Sequence, residues 1–182
     1  MVAFFVPIAL LFALFRIFSP ESLDDIDGRE FGTAPPVPVD LLAEVKASVA
    51  KGETFQCSEA ALNHYMRGVL SAREGDGFEM FADFKGVWIR LNEGGFDVVF
   101  ERQLLGHDFT TSAEMQIEST DAGFRIGAKG GKLGSLPVTS GMLNLIRKGM
   151  TNLGKVFESE KSVLSHAGEL TLTDGWLRLE PR

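Results

Sequence analysis

The chain has 182 residues, of which 45% are hydrophobic and 24% are charged, and its formal net charge is −7. This length suits one domain with an appendage, and the composition is that of a globular protein rather than a disordered one. No run of lysine or arginine occurs, which argues against a nucleic-acid partner because phosphate binding needs clustered cations. The single cysteine, Cys57, excludes an intramolecular disulfide and a metal site made of cysteines.

The first 18 residues are predicted to be a transmembrane anchor. Residues 2–15 carry no charge, and a helix over residues 2–18 would measure about 25 Å, slightly less than a ~30 Å hydrocarbon core. Arg16 can extend to the lipid headgroups and so make the segment fit. A cleaved signal peptide and a buried core helix stay open as alternatives, although a signal peptide would need basic residues ahead of the apolar run. The predicted anchor residues are Val2, Phe5, Ile8, Leu11 and Phe15.

Residues 19–39 are predicted to be a linker that is acidic at first and then rich in proline, with Pro35, Pro36 and Pro38 close together. Proline-rich segments are extended and semi-rigid, so this composition is typical of a spacer between membrane and domain. We therefore expect a chain that begins near Asp40 to be soluble and folded.

Residues 40–182 are predicted to be an α+β globular domain that starts with two helices. Asp40 and Gly52 have the residue types of an N-cap and a terminator for the first helix. Ser58 is the predicted cap of the second helix, which has apolar residues at i, i+3, i+4, i+7 and i+8. These residues are Leu62, Tyr65, Met66, Val69 and Leu70.

The middle of the domain is predicted to be an antiparallel meander, because polar and apolar residues alternate strictly over residues 109–118. Short turns between the segments require antiparallel neighbours. The other predicted strands are residues 84–91, 96–104 and 124–129. The glycine-rich segment 127–135 lacks the spacing of a phosphate-binding loop, so it is interpreted as a turn leading to a third helix.

The third helix is predicted over about residues 140–163, and a closing hairpin follows it. The turn pair Asp174-Gly175 places Leu172 opposite Leu177 and Leu170 opposite Leu179. Together these patterns predict an α+β fold in which amphipathic helices cover one curved antiparallel sheet of about six strands.

An apolar groove is predicted between this sheet and the third helix, with a closed core made of the same residues as the alternative. The candidate groove residues are Phe109, Met115, Ile117, Phe124, Ile126, Leu143, Ile146, Met150, Leu153 and Phe157.

No pattern predicts catalysis, a metal site or a cofactor. The histidines, His64, His107 and His166, lack metal-ligand spacing, and no serine-hydrolase elbow occurs. We therefore expect no enzyme activity, no cofactor and no catalytic residues.

Two stretches, Ser58-Glu59-Ala60-Ala61-Leu62-Asn63 and the segment from Gly131 to Val138, resemble the YpmS-like family of membrane-anchored bacterial envelope proteins. In that family a Ser/Thr-Glu-x-x-Leu-Asn helix start precedes the strands, and a Gly-x-Leu-Pro-x-Pro turn leads into a helix. The chain departs from this pattern at Thr139, which replaces the second proline. The resemblance covers roughly residues 55–180 and implies a periplasmic domain of the elongated, lipid-binding kind, with no catalytic residues.

The leading hypothesis is thus a membrane-tethered, non-enzymatic envelope domain that binds lipid or another apolar ligand, with membrane lipid as its partner. The alternative is an accessory subunit of a larger integral-membrane complex, whose partners are other membrane-protein subunits. An enzyme of unrecognised type is the third hypothesis.

Overall fold

The computed structural model describes residues 2–29, 40–71, 83–120, 123–141, 153–165 and 168–181. The helices named here are α1 Val2–Phe18, α2 Leu41–Lys51, α3 Glu59–Ser71 and α4 Glu158–Ser165. The strands are β1 Phe55–Ser58, β2 Asp83–Asn92, β3 Gly95–Leu104, β4 His107–Thr120, β5 Gly123–Leu133, β6 Leu136–Thr139, β7 Glu169–Thr173 and β8 Trp176–Glu180.

The predicted caps of α2 and α3 are confirmed. The carboxylate of Asp40 accepts a hydrogen bond from the main-chain N–H of Ala43 (3.0 Å), and Gly52 ends α2 in the left-handed conformation with a φ of 68°. The hydroxyl of Ser58 accepts from the N–H of Ala61 (3.2 Å) at the start of α3.

The α+β class is confirmed, but the prediction of one sheet of about six strands is wrong. An open five-stranded sheet has the order β2-β3-β4-β5-β6, and a separate three-stranded sheet has the order β1-β8-β7. All of the strand pairs are antiparallel. The closing hairpin pairs with β1 and so belongs to a separate sheet. The sequence did not predict β1, because a strand of four residues is too short to show an alternating pattern.

The glycine-rich segment is also different from its prediction, because residues 127–133 continue β5 instead of forming a turn. The turn comes at Gly134 and Ser135, and β6 follows it. Pro137 is compatible with β6 because this strand lies at the edge of the sheet, where one side needs no ladder partner.

The closing hairpin has the register that its turn predicts. Leu172 pairs with Leu177 and Leu170 pairs with Leu179, so all four leucines lie on one face. Leu172 is 4% exposed and packs in the main core.

The two faces of the five-stranded sheet have different composition. The inner face carries the buried apolar side chains Val87, Ile89, Leu91, Val98 and Phe100. It packs against Met66 of α3, Leu153 and Leu172. The outer face carries the alternate residues Trp88, Arg90, Val99 and Glu101. A second core joins α2 to the three-stranded sheet through Leu41, Val45, Phe55, Cys57 and Leu179.

Over the part of the chain that the structure describes, no helix combines the length and the apolar character needed to cross a membrane. Helix α1 has 17 residues.

Candidate functional site

Helix α1 projects an apolar surface for which the described residues provide no cover. Eight of its large side chains are between 50% and 69% exposed: Val6, Ile8, Leu10, Leu11, Phe12, Leu14, Phe15 and Phe18. Because successive helical residues point about 100° apart, this set reaches most of the helix circumference. Of the predicted anchor residues, Ile8, Leu11 and Phe15 belong to this surface, whereas Val2 and Phe5 lie in α1 with side chains outside the described set.

The last turn of α1 is fixed to the turn between β5 and β6. The carbonyl of Arg16 accepts from the main-chain N–H of Ser135 (2.9 Å), and the Arg16 guanidinium donates to the Ser135 carbonyl (2.6 Å). Gly134 has a φ of +56°, and a Cβ there would collide with the carbonyl oxygen of Ile17. Only glycine therefore allows this close approach. The side chain of Ile17 packs on Ala113, Leu133 and Val138.

Residues 19–29, which we call the strap, continue from α1 across the outer face of the five-stranded sheet. The side chain of Glu21 packs against the outer face and is only 8% exposed. Its carboxylate accepts from Lys132 (2.6 Å), Arg90 (2.8 Å) and the hydroxyl of Ser112 (3.1 Å), while its main-chain N–H donates to Thr110 (2.8 Å). Burial raises the pKa of Glu21, but Lys132 and Arg90 more than offset it, so the pKa lies below its ordinary value.

Arg90 connects the strap to the sheet because it also contacts two further acids. Its guanidinium donates to Asp25 of the strap (2.9 Å) and to Asp97 on β3 (3.2 Å). Burial lowers the pKa of Arg90, yet Glu21 and Asp25 outweigh burial and the net pKa is raised. Burial raises the pKa of Asp97 more than Arg90 lowers it. The outer face thus holds a network of opposite charges with the side chains of Glu21 and Arg90 largely buried at its centre and those of Asp25 and Lys132 more exposed at its margin.

An apolar contact lies beside this network. Leu23 (4% exposed) and Ile26 (5%) cluster with Trp88 (1%) and Val99 (0%) of the outer face. The indole N–H of Trp88 donates to the carboxylate of Glu101 (2.9 Å), so its polar atom is satisfied under the strap. Arg29 forms an ion pair with the same carboxylate (3.1 Å).

The strap ends on the first turns of α3, where two buried side chains bind the main chain of Asp27. Glu59 accepts from the N–H of Asp27 (2.8 Å), and Asn63 donates to its carbonyl (2.9 Å). The same two side chains satisfy the free edge of β2: Asn63 bonds both main-chain groups of Ile89 (2.7 and 2.8 Å), and Glu59 accepts from the N–H of Leu91 (2.5 Å). They therefore close an edge strand that would otherwise be open to pairing.

These contacts correct the predicted linker, because Leu23 and Ile26 are buried and residues 20–29 belong to the folded unit. The strap is buried because Arg90 and Lys132 on the outer face form ion pairs with its acidic residues. Residues 30–39, with the three prolines, lie outside the described residues. The two stretches that carry the family resemblance make contacts on either side of the strap. Gly134 and Ser135 contact the end of α1, and Glu59 and Asn63 form hydrogen bonds with the main chain of Asp27.

The inner face is the second candidate site, since it carries the sheet half of the predicted groove. Strand pairing places Phe109, Met115, Ile117, Phe124 and Ile126 on this one face. Ile126 is 42% exposed and the other four are half-buried. Leu153 (8% exposed) and Phe157 pack against the main core, whereas Leu143, Ile146 and Met150 lie outside the described residues.

Arg102 is the exception on the inner face, since its cross-strand neighbours are Phe84 and Phe109. Its guanidinium carbon lies 6.0 Å from the ring centre of Phe100, and its buried Nε has no hydrogen-bond partner among the described residues. Within the described ranges no carboxylate pairs with it. Burial alone lowers the pKa of Arg102.

The remaining reactive side chains form no recognisable site in the described ranges. Cys57 is a free, buried thiol whose pKa burial raises to about 11. Among the residues that the structure describes, no group of three or more His, Cys, Asp or Glu has the geometry of a metal site.

Sequence reasoning missed the Glu21–Arg90 network and Arg102. The sequence does show Arg90 and Arg102 inside apolar strand segments and an acidic run that begins at Glu21. No pattern in the sequence, however, indicates that Arg90 contacts that acidic run. No protein-family model matches the chain, and no curated protein matches it at a significant level.

Proposed function

We propose that the chain is a membrane-tethered, non-enzymatic envelope domain in which α1 inserts into the bilayer and the inner face binds an apolar ligand. The observation that carries the proposal is the uncovered apolar surface of α1. Eight large apolar side chains in water cost on the order of 10 kcal/mol relative to burial. A lipid environment removes that cost, and a helix apolar on most sides is typical of one.

The docking of the strap supports a close approach to the membrane. Arg16 is bonded to Ser135 and Glu21 is already buried in the sheet, so only about four residues separate the anchor from the domain. The β5–β6 end of the sheet would then face the lipid headgroups, with Arg16 at the interface.

Binding of an apolar ligand is supported by half-buried apolar side chains of the inner face, which extend along β4 from Phe109 to Ile117. Ile126 is exposed there, and Met115, Ile117 and Phe124 are only half-buried. Methionine repacks easily around chains of different shape. The resemblance to the YpmS-like family, which stays a prediction, implies the same class of ligand.

The test of the tether is extraction of membranes with alkaline carbonate. We expect the full-length chain to remain in the membrane pellet and the variant Leu11→Asp/Phe12→Asp to move to the soluble fraction. A matched control, Glu93→Gln on the β2–β3 turn, should behave as wild type. Recovery of the intact wild-type chain in the soluble fraction would contradict the tether.

The second candidate function, an accessory subunit, is favoured by Trp176, which is 55% exposed on the three-stranded sheet. Large exposed aromatic residues are enriched at protein interfaces. Native mass spectrometry after mild detergent extraction separates the two functions. Lipid adducts support the ligand-binding domain, whereas a protein partner that is lost in Trp176→Ala supports the subunit.

A further inference from the structure

Arg102 lies in an environment that is unusual for an arginine. Its two cross-strand neighbours are phenylalanines, and Phe100, two residues away on the same face, is 1% exposed. A cation partly removed from water loses hydration, and it normally regains that free energy from an acid. Arg29 and Arg90, whose side chains are also partly removed from water, both have such acids.

The position of Arg102 relates it to α1. Phe109, its partner on β4, lies four residues before Ala113, which packs against Ile17 at the end of α1. At about 3.4 Å per residue, this separation is roughly 14 Å along the strand. Arg102 and the junction with α1 thus share the inner face and one end of the sheet. If α1 is in the bilayer, this is the end nearest to the lipid.

We propose that Arg102 binds the anionic head of a lipid, a carboxylate or a phosphate, while the acyl chain lies along the apolar inner face beside Phe84 and Phe109. This inference deepens the proposed apolar-ligand function and rests on it. A small free anion gains only the one cation and meets a chain of net charge −7. A lipid anion also gains the burial of its chain, so the site selects molecules that carry both features.

The experiment compares two probes that differ in charge at the head, oleate and oleyl alcohol. Each is titrated against the full-length chain in amphipol, and binding is read by competition with a fluorescent fatty acid. We expect wild type to bind oleate at least tenfold more tightly than the alcohol. Arg102→Met should remove this preference and still fold, because it takes off an apolar face a cation that pairs with no acid among the described residues. Arg102→Lys should keep most of the preference, and Arg125→Gln, which changes an exposed arginine on β5, should keep all of it.

Equal affinity for both probes in wild type, or an unchanged preference in Arg102→Met, would overturn the role of Arg102 and leave the apolar site intact. Binding of neither probe would instead remove the ligand-binding part of the proposed function. Displacement of the fluorescent fatty acid by acetate at the concentration that suffices for oleate would show a free-anion site and overturn the lipid class.

Discussion

Both faces of the five-stranded sheet are covered in part, and the two covers have opposite chemistry. The inner face packs apolar side chains from α3, β7 and Leu153 onto apolar strands. The outer face packs the acidic strap onto Arg90 and Lys132, with one apolar cluster around Trp88. Alternation along a strand therefore shows which side chains share a face, but it does not show that the polar face meets water.

The largest expected effect comes from removing the cover of the outer face. A chain that begins at Asp40 loses Leu23, Ile26 and Glu21, so we expect a loss of about 5 kcal/mol or more in the free energy of unfolding, and aggregation. A chain that begins at Ser19 keeps the strap and should remain soluble and folded. Urea titration followed by tryptophan fluorescence measures both. Equal stability of the two chains would show that the strap contributes nothing.

On the inner side, Leu172→Asp should cost about 4 kcal/mol because it places a charge in the main core. Thr171→Asp, one residue away on the exposed face of β7, should change the free energy of unfolding by less than about 0.5 kcal/mol. The pair is measured by the same urea titration. Similar losses in both variants would contradict the observed register.

Asn63 of α3 forms hydrogen bonds with both the free edge of β2 and the strap. Replacement by leucine keeps the approximate volume but leaves the main-chain groups of Ile89 and the carbonyl of Asp27 without partners. We expect a loss of about 3 kcal/mol and faster hydrogen exchange in the strap. His64→Leu on the next position of α3 is the matched control. An equal loss in the control would assign the effect to the helix and not to the edge.

The smallest effect separates charge from packing on the outer face. Glu21→Gln keeps the shape but loses the ion pairs, so it should cost about 2 kcal/mol at neutral pH, whereas exposed Asp24→Asn should cost almost nothing.

This difference should also depend on pH. The folded pKa of Glu21 is lowered, so its contribution is complete above its ordinary pKa near 4.5 and is lost as the pH falls further. The gap between wild type and Glu21→Gln should therefore shrink in urea titrations below about pH 4.5. A constant gap down to pH 3 would show that the stabilisation by Glu21 is not ionic.

Local patterns predicted the elements of this fold that depend on local rules. The caps at Asp40 and Ser58 and the hairpin at Gly175 follow from turn and capping chemistry, and the structure contains all of them. The division into two sheets could not be predicted, because β1 is short and pairs with β8, more than 110 residues away. The burial of Glu21 was equally hidden, since its partners Arg90 and Lys132 lie 69 and 111 residues further along the chain.

The long separation between the strap and its partners has a kinetic consequence. Residues 16–29 leave the ribosome long before Ser135, which fixes Arg16 and is 119 residues later in the chain. Contacts this distant in sequence form slowly, because the intervening chain must first be ordered. Leu23 and Ile26 therefore stay in water until β2 and β3, which carry Trp88 and Val99, have been synthesised and paired, and Arg16 must wait for the whole meander. A chain whose first helix is already held in a membrane would make that wait beside the bilayer, away from other nascent chains with which it could aggregate.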